Sequence, residues 1–115
     1  MTAAGKPIRF GQMIRLKPEM RDEYIQLHAE TWPPVLRAIE RAGIRRYSIF
    51  LREPEMLLFA TFEYWGDDFA GDMKAMGEDP EVQRWWARTA PCQAPLDSAS
   101  AGEWWASARE VFFHP

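Results

Sequence analysis

Apolar and polar side chains alternate over residues 8–16, with Phe10, Ile14 and Leu16 on one side of the alternation and arginines on the other. Successive side chains of a β-strand point to opposite faces of a sheet, so a period of two is typical of a strand with one buried face. We therefore predict a first strand over residues 8–16.

Three further segments carry strand signals. Residues 44–51 and 56–64 are rich in β-branched, aromatic and aliphatic residues, and the short polar connector between them, residues 52–55, predicts a hairpin turn. Near the end of the chain, alternating residues predict a fourth strand over residues 106–113. Residues 90–102, which precede it, are predicted to form a loop.

A broken helix is predicted between the first two strands. Pro18 near a first helical turn and the acidic residues that follow it favour a helix from about residue 19 towards residue 42. The sequence Trp32-Pro33-Pro34 interrupts it, because proline lacks the amide hydrogen and restricts the residue before it, so we expect a kink or a break with a restart. Gly43 lies where a C-terminal cap belongs.

Two helical stretches are predicted between the third and fourth strands. Asp67 and Asp68 cap a helix that ends at about residue 76, and Asp79-Pro80-Glu81 begins another that ends at about residue 89. The resulting order β-α-β-β-α-β is that of a ferredoxin-like α+β fold, an antiparallel sheet with its helices on one face. The other face is then bare, and a bare apolar face usually marks an association surface. We expect a homodimer that packs sheet against sheet.

The composition indicates one globular domain and excludes several partners. The chain of 115 residues has 47% hydrophobic and 27% charged residues, so residues 8–115 are expected to form a single domain behind a mobile N-terminal tail of residues 1–7. The formal charge of −3 offers no basic patch for nucleic acid, and no apolar run is long enough to span a membrane. The lone Cys92 excludes an internal disulfide and fits a reducing compartment, so a cytoplasmic protein is predicted.

The best candidate for chemistry is a group of three side chains on the first helical region. Tyr24, His28 and Trp32 recur every four residues, so they follow one another along one helix face. An imidazole has the unperturbed pKa nearest to neutral pH, and a tyrosine hydroxyl one turn away can orient it or share in proton transfer. A structural interpretation stays open at this point, in which Tyr24 and Trp32 are core aromatics and His28 is an ordinary helix residue.

Two other aromatic groups are weaker candidates. Trp85 and Trp86 are adjacent on a predicted helix and therefore point about 100° apart, so one is expected to face the sheet. The other can reach a cleft between helix and sheet, and the alternative that both are core or boundary aromatics stays open. Tyr47 on the second strand points either towards the helices or towards the dimer interface.

Metal, phosphate and thiol chemistry find little support. The two histidines, His28 and His114, and the single cysteine do not have the spacing of an ordinary zinc or iron site. The sequence has no Gly-rich nucleotide-binding loop, and nothing beside Cys92 would activate its thiol.

Several motifs of the chain resemble the L-rhamnose mutarotase family. The similarity extends over residues 8–115 and rests on the following motifs, in chain order: Tyr24-x-x-x-His28-x-x-x-Trp32-Pro33, Tyr47-Ser48-Ile49-Phe50-Leu51, Leu57-Leu58-Phe59-Ala60, Gln83-Arg84-Trp85-Trp86 and Glu110-Val111-Phe112-Phe113-His114-Pro115. No single motif is decisive, but their order and distances are together specific. The resemblance implies a dimeric α/β barrel of ferredoxin-like protomers and an isomerase that interconverts the α and β anomers of L-rhamnose without cofactor or metal.

The resemblance also assigns roles to residues. It implies that His28 is the catalytic acid or base and that Tyr24 shapes the sugar site, and our hypothesis is that Tyr24 or Tyr47 is the catalytic partner of His28. The substrate-binding residues that it implies are Tyr47, Trp85, Trp86 and, in their neighbourhood, Trp32.

Several alternatives stay open. The preferred sugar is L-rhamnose or another 6-deoxy hexose such as L-fucose. A dimeric α/β-barrel domain can also bind a small ligand without catalysis, or act as a small monooxygenase on aromatic substrates, because a fold alone does not fix a function. Trp65, Trp104 and Trp105 carry no functional signal and are assigned to packing or to the dimer interface.

Overall fold

The computed structural model describes residues 6–115. Most of the predicted N-terminal tail, residues 1–5, lies outside the described residues. The described chain forms five strands and four α-helices, which in chain order are β1 (Ile8–Leu16), α1 (Arg21–Ala29), α2 (Pro33–Arg41), β2 (Ile44–Arg52), β3 (Leu57–Tyr64), α3 (Phe69–Glu78), α4 (Pro80–Thr89), β4 (Gln93–Ala94) and β5 (Ala106–Ala108). Within this part of the chain, no helix combines the length and the apolar character that crossing a membrane would require.

The sheet is antiparallel throughout. Its strands stand in the order β2-β3-β1, and both β4 and β5 pair with the remaining edge of β1. This is the ferredoxin-like arrangement predicted from the order of elements, so the predicted fold class is confirmed. The bounds predicted for β1 agree with the structure, and those of β2 and β3 each differ by one residue.

The first helical region breaks where the prolines predict it. α1 ends at Ala29, and α2 begins at Pro33 with Trp32 as its extended N-cap residue. Proline in the first turn of a helix needs no amide hydrogen, so the restart leaves no backbone donor without a partner. The predicted start is wrong by two residues, because Pro18–Met20 forms a 3₁₀ turn and the α-helix begins only at Arg21.

Gly43 ends α2 and turns the chain into β2, as predicted. Its φ of +83° lies in the left-handed region, and its N–H donates to the carbonyl oxygen of Glu40 at 3.0 Å. A Cβ at this position would lie 3.2 Å from the backbone nitrogen of Gly66. Both the backbone conformation and the close approach therefore favour glycine.

The two helices between β3 and β4 begin at aspartates, as predicted. The carboxylate of Asp68 accepts a hydrogen bond from the backbone nitrogen of Gly71 at 3.1 Å, and that of Asp79 accepts one from the backbone nitrogen of Glu81 at 2.8 Å. α3 extends beyond its predicted end to Glu78, so that Asp79 both follows α3 and caps α4.

The fourth strand is shorter than predicted. Strand β5 ends at Ala108, and residues 109–115 form no strand. Beyond this point the chain leaves the edge of β1 and is held instead by an ion pair between Arg9 and Glu110, with 2.9 Å between nitrogen and oxygen. The alternating residues after Ala108 therefore pair with no strand of the described chain, and Val111 among them is 83% exposed.

The prediction of a plain loop over residues 90–102 is also wrong. Ala90–Cys92 forms a 3₁₀ turn, and Gln93–Ala94 pairs with the end of β1 as strand β4. β5 pairs further along the same edge of β1 in the same direction. β4 and β5 are therefore one edge strand that residues 95–105 interrupt.

The helices cover one face of the sheet, which we call the inner face. Ile14 of β1 and Leu58 of β3 pack there against Tyr24 of α1, and smaller clusters connect α2 with α4 and the sheet with α3. The opposite, outer face carries the stacked rings of Phe50 and Phe59, whose centroids lie 5.1 Å apart. These two side chains are 51% and 39% exposed, so the outer face has an uncovered apolar surface.

Candidate active site

A cavity of about 590 Å³ lies between the inner face of the sheet and the helices. Its volume is in the usual range of small-molecule sites. Most of its wall is aliphatic or aromatic, and among the described residues that line it none is Asp, Glu, Lys or Arg. The polar residues of the wall are Gln12, Tyr24, His28, Tyr47, Thr89 and Gln93. The cavity therefore suits an uncharged ligand with both polar and apolar surface.

His28 lies in the last turn of α1, one turn after Tyr24. Its Nδ1 lies 2.9 Å from the backbone carbonyl oxygen of Tyr24. A carbonyl oxygen can only accept, so Nδ1 carries a proton and donates it, and Nε2 of the neutral ring is left as an acceptor. Burial lowers the pKa of His28 below its ordinary value, so the ring is neutral at pH 7. The imidazole can therefore act as a general base through Nε2.

Tyr24 offers the opposite chemistry beside it. The side chain is buried, and its ring centroid lies 4.3 Å from that of His28. The hydroxyl accepts a hydrogen bond from Nε2 of Gln93 at 3.1 Å. Burial raises the pKa of Tyr24, so the phenol keeps its proton at neutral pH. A neutral base and a protonated acid line the same cavity, which is the combination that reversible proton transfer requires.

Trp85 and Trp86 both line the cavity but differ in burial. Trp85 is 6% exposed and meets the ring of His28 edge-on, with 5.2 Å between centroids. Trp86 is 44% exposed, because adjacent helical side chains point about 100° apart. Trp32 is not among the described residues of the cavity wall, and it packs edge-on against Trp85 with 5.1 Å between centroids. Indoles have flat apolar faces on which a ligand ring can stack, and Trp32 packs against the one of Trp85.

A β-bulge directs Tyr47 into the cavity. The pairing of β2 with β3 shifts between Arg45 and Ser48, so that two residues of β2 stand opposite one of β3. Arg46, within the bulge, has a φ of +51°. The shift places Tyr47 on the inner face, so the structure has the orientation towards the helices, one of the two that the sequence left open. Tyr47 is 40% exposed, but desolvation at its hydroxyl end raises the pKa of the phenol, so it is protonated at neutral pH.

The residues of the cavity wall that were not predicted as site residues include Gln12, Gln93, Trp104 and Trp105. Gln12 has a signal in the sequence, since it is a polar residue at an inner-face position of an otherwise apolar alternation. Gln93 has none, because β4 is too short to show a period. Trp104 and Trp105, assigned from the sequence to packing or to the dimer interface, both line the cavity, and Trp105 also packs against the core, as the packing assignment predicts.

Cys92 and the acidic residues of the described chain form neither a metal site nor an activated thiol. Among residues 6–115, no group of three or more His, Cys, Asp or Glu side chains lies together as a metal-binding cluster. The side chain of Cys92 is buried, and burial raises the pKa of its thiol. The thiol is therefore protonated and weakly nucleophilic at neutral pH, in line with its interpretation as an incidental thiol.

Fold and site together define a class of protein, a ferredoxin-like domain of the dimeric α/β-barrel type with an uncharged, aromatic-walled cavity that contains an imidazole and two phenols. Two solved structures have this fold. The L-rhamnose mutarotase from Formosa agariphila has a TM-score of 0.70 and 23% identity, and the match covers 94% of this chain and 99% of that chain. The tetracenomycin F2 cyclase from Streptomyces glaucescens, a type-II polyketide cyclase, has a TM-score of 0.66 and 18% identity over the same shares of the two chains, 94% and 99%. Identities this low show the fold alone.

Sequence comparison shows the family. The family model described as L-rhamnose mutarotase matches residues 9–114. The L-rhamnose mutarotase of Mesorhizobium japonicum is 37% identical over 81 residues, which cover 70% of this chain and 74% of that protein. The L-rhamnose mutarotase of Yersinia pestis (strain Pestoides F) is 30% identical over 112 residues, which cover 92% of this chain and 97% of that protein. The chain belongs to the L-rhamnose mutarotase family, and the resemblance stated from its motifs is confirmed.

Proposed function

We propose that the protein is an isomerase that interconverts the α and β anomers of L-rhamnose, or of a related 6-deoxy hexose, by general acid and base catalysis. The observation that carries the proposal is that a neutral imidazole, His28, and a protonated phenol, Tyr24, with ring centroids 4.3 Å apart, line one uncharged cavity. Family membership supports the reaction, and the cavity contains the groups that the reaction needs.

Exchange of anomers needs one proton removed and one delivered. A base takes the proton of the anomeric hydroxyl while an acid protonates the ring oxygen, so the bond between the anomeric carbon and the ring oxygen breaks and an open aldehyde forms. The aldehyde group rotates about its bond to the neighbouring carbon. The ring then closes on the other face of the carbonyl, and both protons return to their donors. Positioned acids and bases accelerate such transfers by about 10²- to 10⁴-fold.

We assign His28 as the base and Tyr24 as the acid of the opening step. Nε2 of His28 receives the anomeric proton, the phenol of Tyr24 gives its proton to the ring oxygen, and each group reverts when the ring closes. Between these steps the imidazolium and the phenolate carry opposite charges on rings whose centroids lie 4.3 Å apart. Opposite charges this close stabilise one another when water is excluded.

The residues of the cavity wall also suggest how the sugar binds. The indoles of Trp85 and Trp86 offer faces on which the apolar side of a pyranose ring stacks, and Trp32 supports Trp85. The protonated phenol of Tyr47 is available to a sugar hydroxyl. The aliphatic part of the wall, from β2, α2 and α3, suits the methyl group that distinguishes a 6-deoxy hexose.

Saturation-transfer NMR on L-rhamnose tests the function. The wild-type protein is expected to accelerate exchange between the anomers, and His28→Ala is expected to lower that acceleration by about 10²-fold or more while its circular dichroism spectrum is kept. His114→Ala is the matched control, because His114 is exposed and should keep the wild-type rate. L-Fucose, measured in parallel, ranks the sugars.

Two results would contradict the proposal. A wild-type protein that accelerates neither sugar refutes a mutarotase, and shifted protein resonances without faster exchange would then indicate a binding domain. A loss of less than about tenfold in a folded His28→Ala variant refutes the role of His28.

We also propose that a second copy of the chain covers the outer face. Phe50 and Phe59 stack there in the open, and a contiguous exposed apolar surface marks an association site that a two-fold symmetric contact can bury. Phe59→Glu is expected to convert a dimer into a monomer in analytical ultracentrifugation. Ile25→Glu, at a similarly exposed position on α1, should leave the dimer intact. A monomeric wild-type protein contradicts this proposal.

We further propose that residues 8–115 act as one catalytic domain. The cavity takes residues from Gln12 on β1 to Trp105 just before β5, so its wall draws on nearly the whole of this range. The cytoplasmic location stays a prediction from the sequence.

A further inference from the structure

Three hydrogen-bonded side chains connect residues 95–105 with the cavity. Nε1 of Trp104 donates to Oε1 of Gln93 at 2.8 Å, and Nε2 of Gln93 donates to the hydroxyl of Tyr24 at 3.1 Å. Gln93 is only 5% exposed, so its amide is held inside the protein. We propose that Trp104 and Gln93 are positioning residues that direct the hydroxyl proton of Tyr24 into the cavity. The inference rests on the proposed function, because it concerns the acid of that reaction.

The direction of each bond follows from the indole. An indole N–H can donate but cannot accept, so the amide oxygen of Gln93 must be the atom that faces Trp104. The amide nitrogen then faces Tyr24, and since it can only donate, the oxygen of Tyr24 must accept. The hydrogen of the hydroxyl is therefore turned away from Gln93. Tyr24 lines the cavity, so this hydrogen is available to the ring oxygen of a bound sugar.

His28 is fixed in the same manner from the backbone of Tyr24. The carbonyl oxygen of Tyr24 accepts the Nδ1 proton at 2.9 Å, which leaves Nε2 as an acceptor. One residue thus sets the base through its backbone and supplies the acid through its side chain. In water a hydroxyl turns freely, whereas here one donor and one acceptor are presented in advance, which reduces the rearrangement needed during reaction.

Residues 95–105 hold Trp104 through their own hydrogen bonds. The carboxylate of Glu103, next to Trp104, accepts from the backbone nitrogens of Ser100 at 2.9 Å and Ser107 at 3.2 Å. Its two oxygens therefore tie the end of the segment to the start of β5. Residues 95–105, which interrupt the edge strand, therefore place the indole N–H of Trp104 beside Gln93 of β4.

Gln93→Glu reverses the direction of the hydrogen bond between residue 93 and Tyr24, with almost no change in the shape of the side chain. The ionised carboxylate accepts from both neighbours, so Tyr24 must turn its proton towards it, and the reaction loses its acid. The protonated carboxyl donates to Tyr24 as the amide does. Burial raises the pKa of a carboxyl, which brings this change into an accessible range of pH. The quantity to measure is the ratio of the L-rhamnose anomer-exchange rates of variant and wild type from about pH 5 to pH 8. The new carboxylate can only raise the pKa of His28, which lowers the ratio at acid pH and cannot produce a ratio that falls as the pH rises.

The expected ratio for Gln93→Glu falls by about tenfold or more as the pH rises over this range. Gln93→Met removes both hydrogen bonds and carries no charge, so its ratio is expected to stay constant with pH. Gln83→Glu, on the exposed side of α4, is the matched control and should keep a ratio near that of the wild type. A flat ratio for Gln93→Glu overturns the inference. No exchange with the wild-type protein overturns the proposed function itself, which is a separate result.

Trp104→Phe is a second test that introduces no buried charge. Without the indole N–H the amide of Gln93 can turn over, so kcat is expected to fall several-fold with little change in KM. In a Tyr24→Phe background the same substitution should have no further effect, because the hydroxyl through which it acts is gone. An equal fold-change in both backgrounds means that Trp104 contributes packing only, and it overturns the inference.

Other titratable groups lie around the hydrogen-bonded side chains of Trp104, Gln93 and Tyr24. They are His28 on α1, Tyr47 on β2, Cys92 beside Gln93 and, around the thiol, Lys17, Glu23 and Arg88.

Discussion

Replacing either phenol of the cavity by phenylalanine removes one oxygen atom, yet we expect very different losses of stability. In Tyr24→Phe the lost oxygen is the acceptor of the bond from Nε2 of Gln93 at 3.1 Å, so a buried amide donor is left without a partner. The hydroxyl of Tyr47 faces the cavity and, within residues 6–115, takes part in no hydrogen bond with the protein. Tyr47→Phe therefore breaks none.

The magnitude follows from the environment of the amide. A buried donor without a partner costs about 1 to 3 kcal/mol. Gln93 borders the cavity, where water can replace part of the lost bond, so we expect about 1 to 2 kcal/mol for Tyr24→Phe. At roughly 4 °C per kcal/mol for a chain of this size, Tm falls by roughly 4 to 8 °C. Tyr47→Phe should change the free energy of unfolding by less than about 0.5 kcal/mol.

Differential scanning calorimetry of the wild type and the two variants at neutral pH measures this difference. Desolvation raises the pKa of the buried Tyr24 and of the partly exposed Tyr47, so neither phenol is ionised and charge does not contribute. Adding Gln93→Met to Tyr24→Phe removes the stranded donor as well, and it should recover part of the loss. Equal shifts in Tm for the two single variants, or a larger one for Tyr47→Phe, would refute the reasoning.

Three further predictions concern pH, a helix cap and a glycine. Because burial lowers the pKa of His28, kcat/KM for anomer exchange should hold as the pH falls to about 6.5 and decline only below it, and an acid limb that begins above about pH 7 contradicts this. The unfolded chain binds the His28 proton at a higher pH than the folded chain does, so calorimetry should also show Tm falling as the pH is lowered through the same window. Asp79→Ala removes the cap of α4 and the partner of Arg41 at 2.9 Å, and urea denaturation should show a loss of about 1 kcal/mol, more than for the exposed Arg41→Ala. In the same assay Gly102→Ala should lower the free energy of unfolding by about 1 kcal/mol, because φ is +84° there. Gly43→Ala should lower it more. Its φ of +83° is similar, but a Cβ at Gly43 would also lie 3.2 Å from a backbone nitrogen.

Local patterns were sufficient for the longer elements of the fold. β1, β2 and β3 each span eight or nine residues, enough for a period or a composition to be visible, and the break before Pro33 follows from the chemistry of proline itself. The edge strand is different. β4 has two residues, and it is a strand only because β1 offers it a free edge, which no local pattern records. β5 begins at residue 106, as the alternation predicts, but it has only three residues.

The residues of the candidate site also fall into two groups, those that local spacing predicts and those that only the tertiary structure brings together. Tyr24 and His28 are one helical turn apart, so their proximity was predictable from spacing alone. Gln93 lies 69 positions from Tyr24 along the chain, and only the pairing of β4 with β1 brings the two together. The orientation of Tyr47 depends on the bulge at Arg46, and an arginine in a left-handed conformation has no distinctive sequence signal.

The interrupted edge strand also bears on how the protein behaves at high concentration. Unpaired backbone groups along a sheet edge are templates on which another chain can add a strand. On one edge, β4 and β5 offer stretches of two and three residues with a folded segment between them. On the other edge, β2 is bulged and carries Arg45, Arg46 and Arg52. Short, bulged and positively charged edges discourage strand addition, so we expect crowding to favour closed assemblies through the outer face over fibrous aggregates.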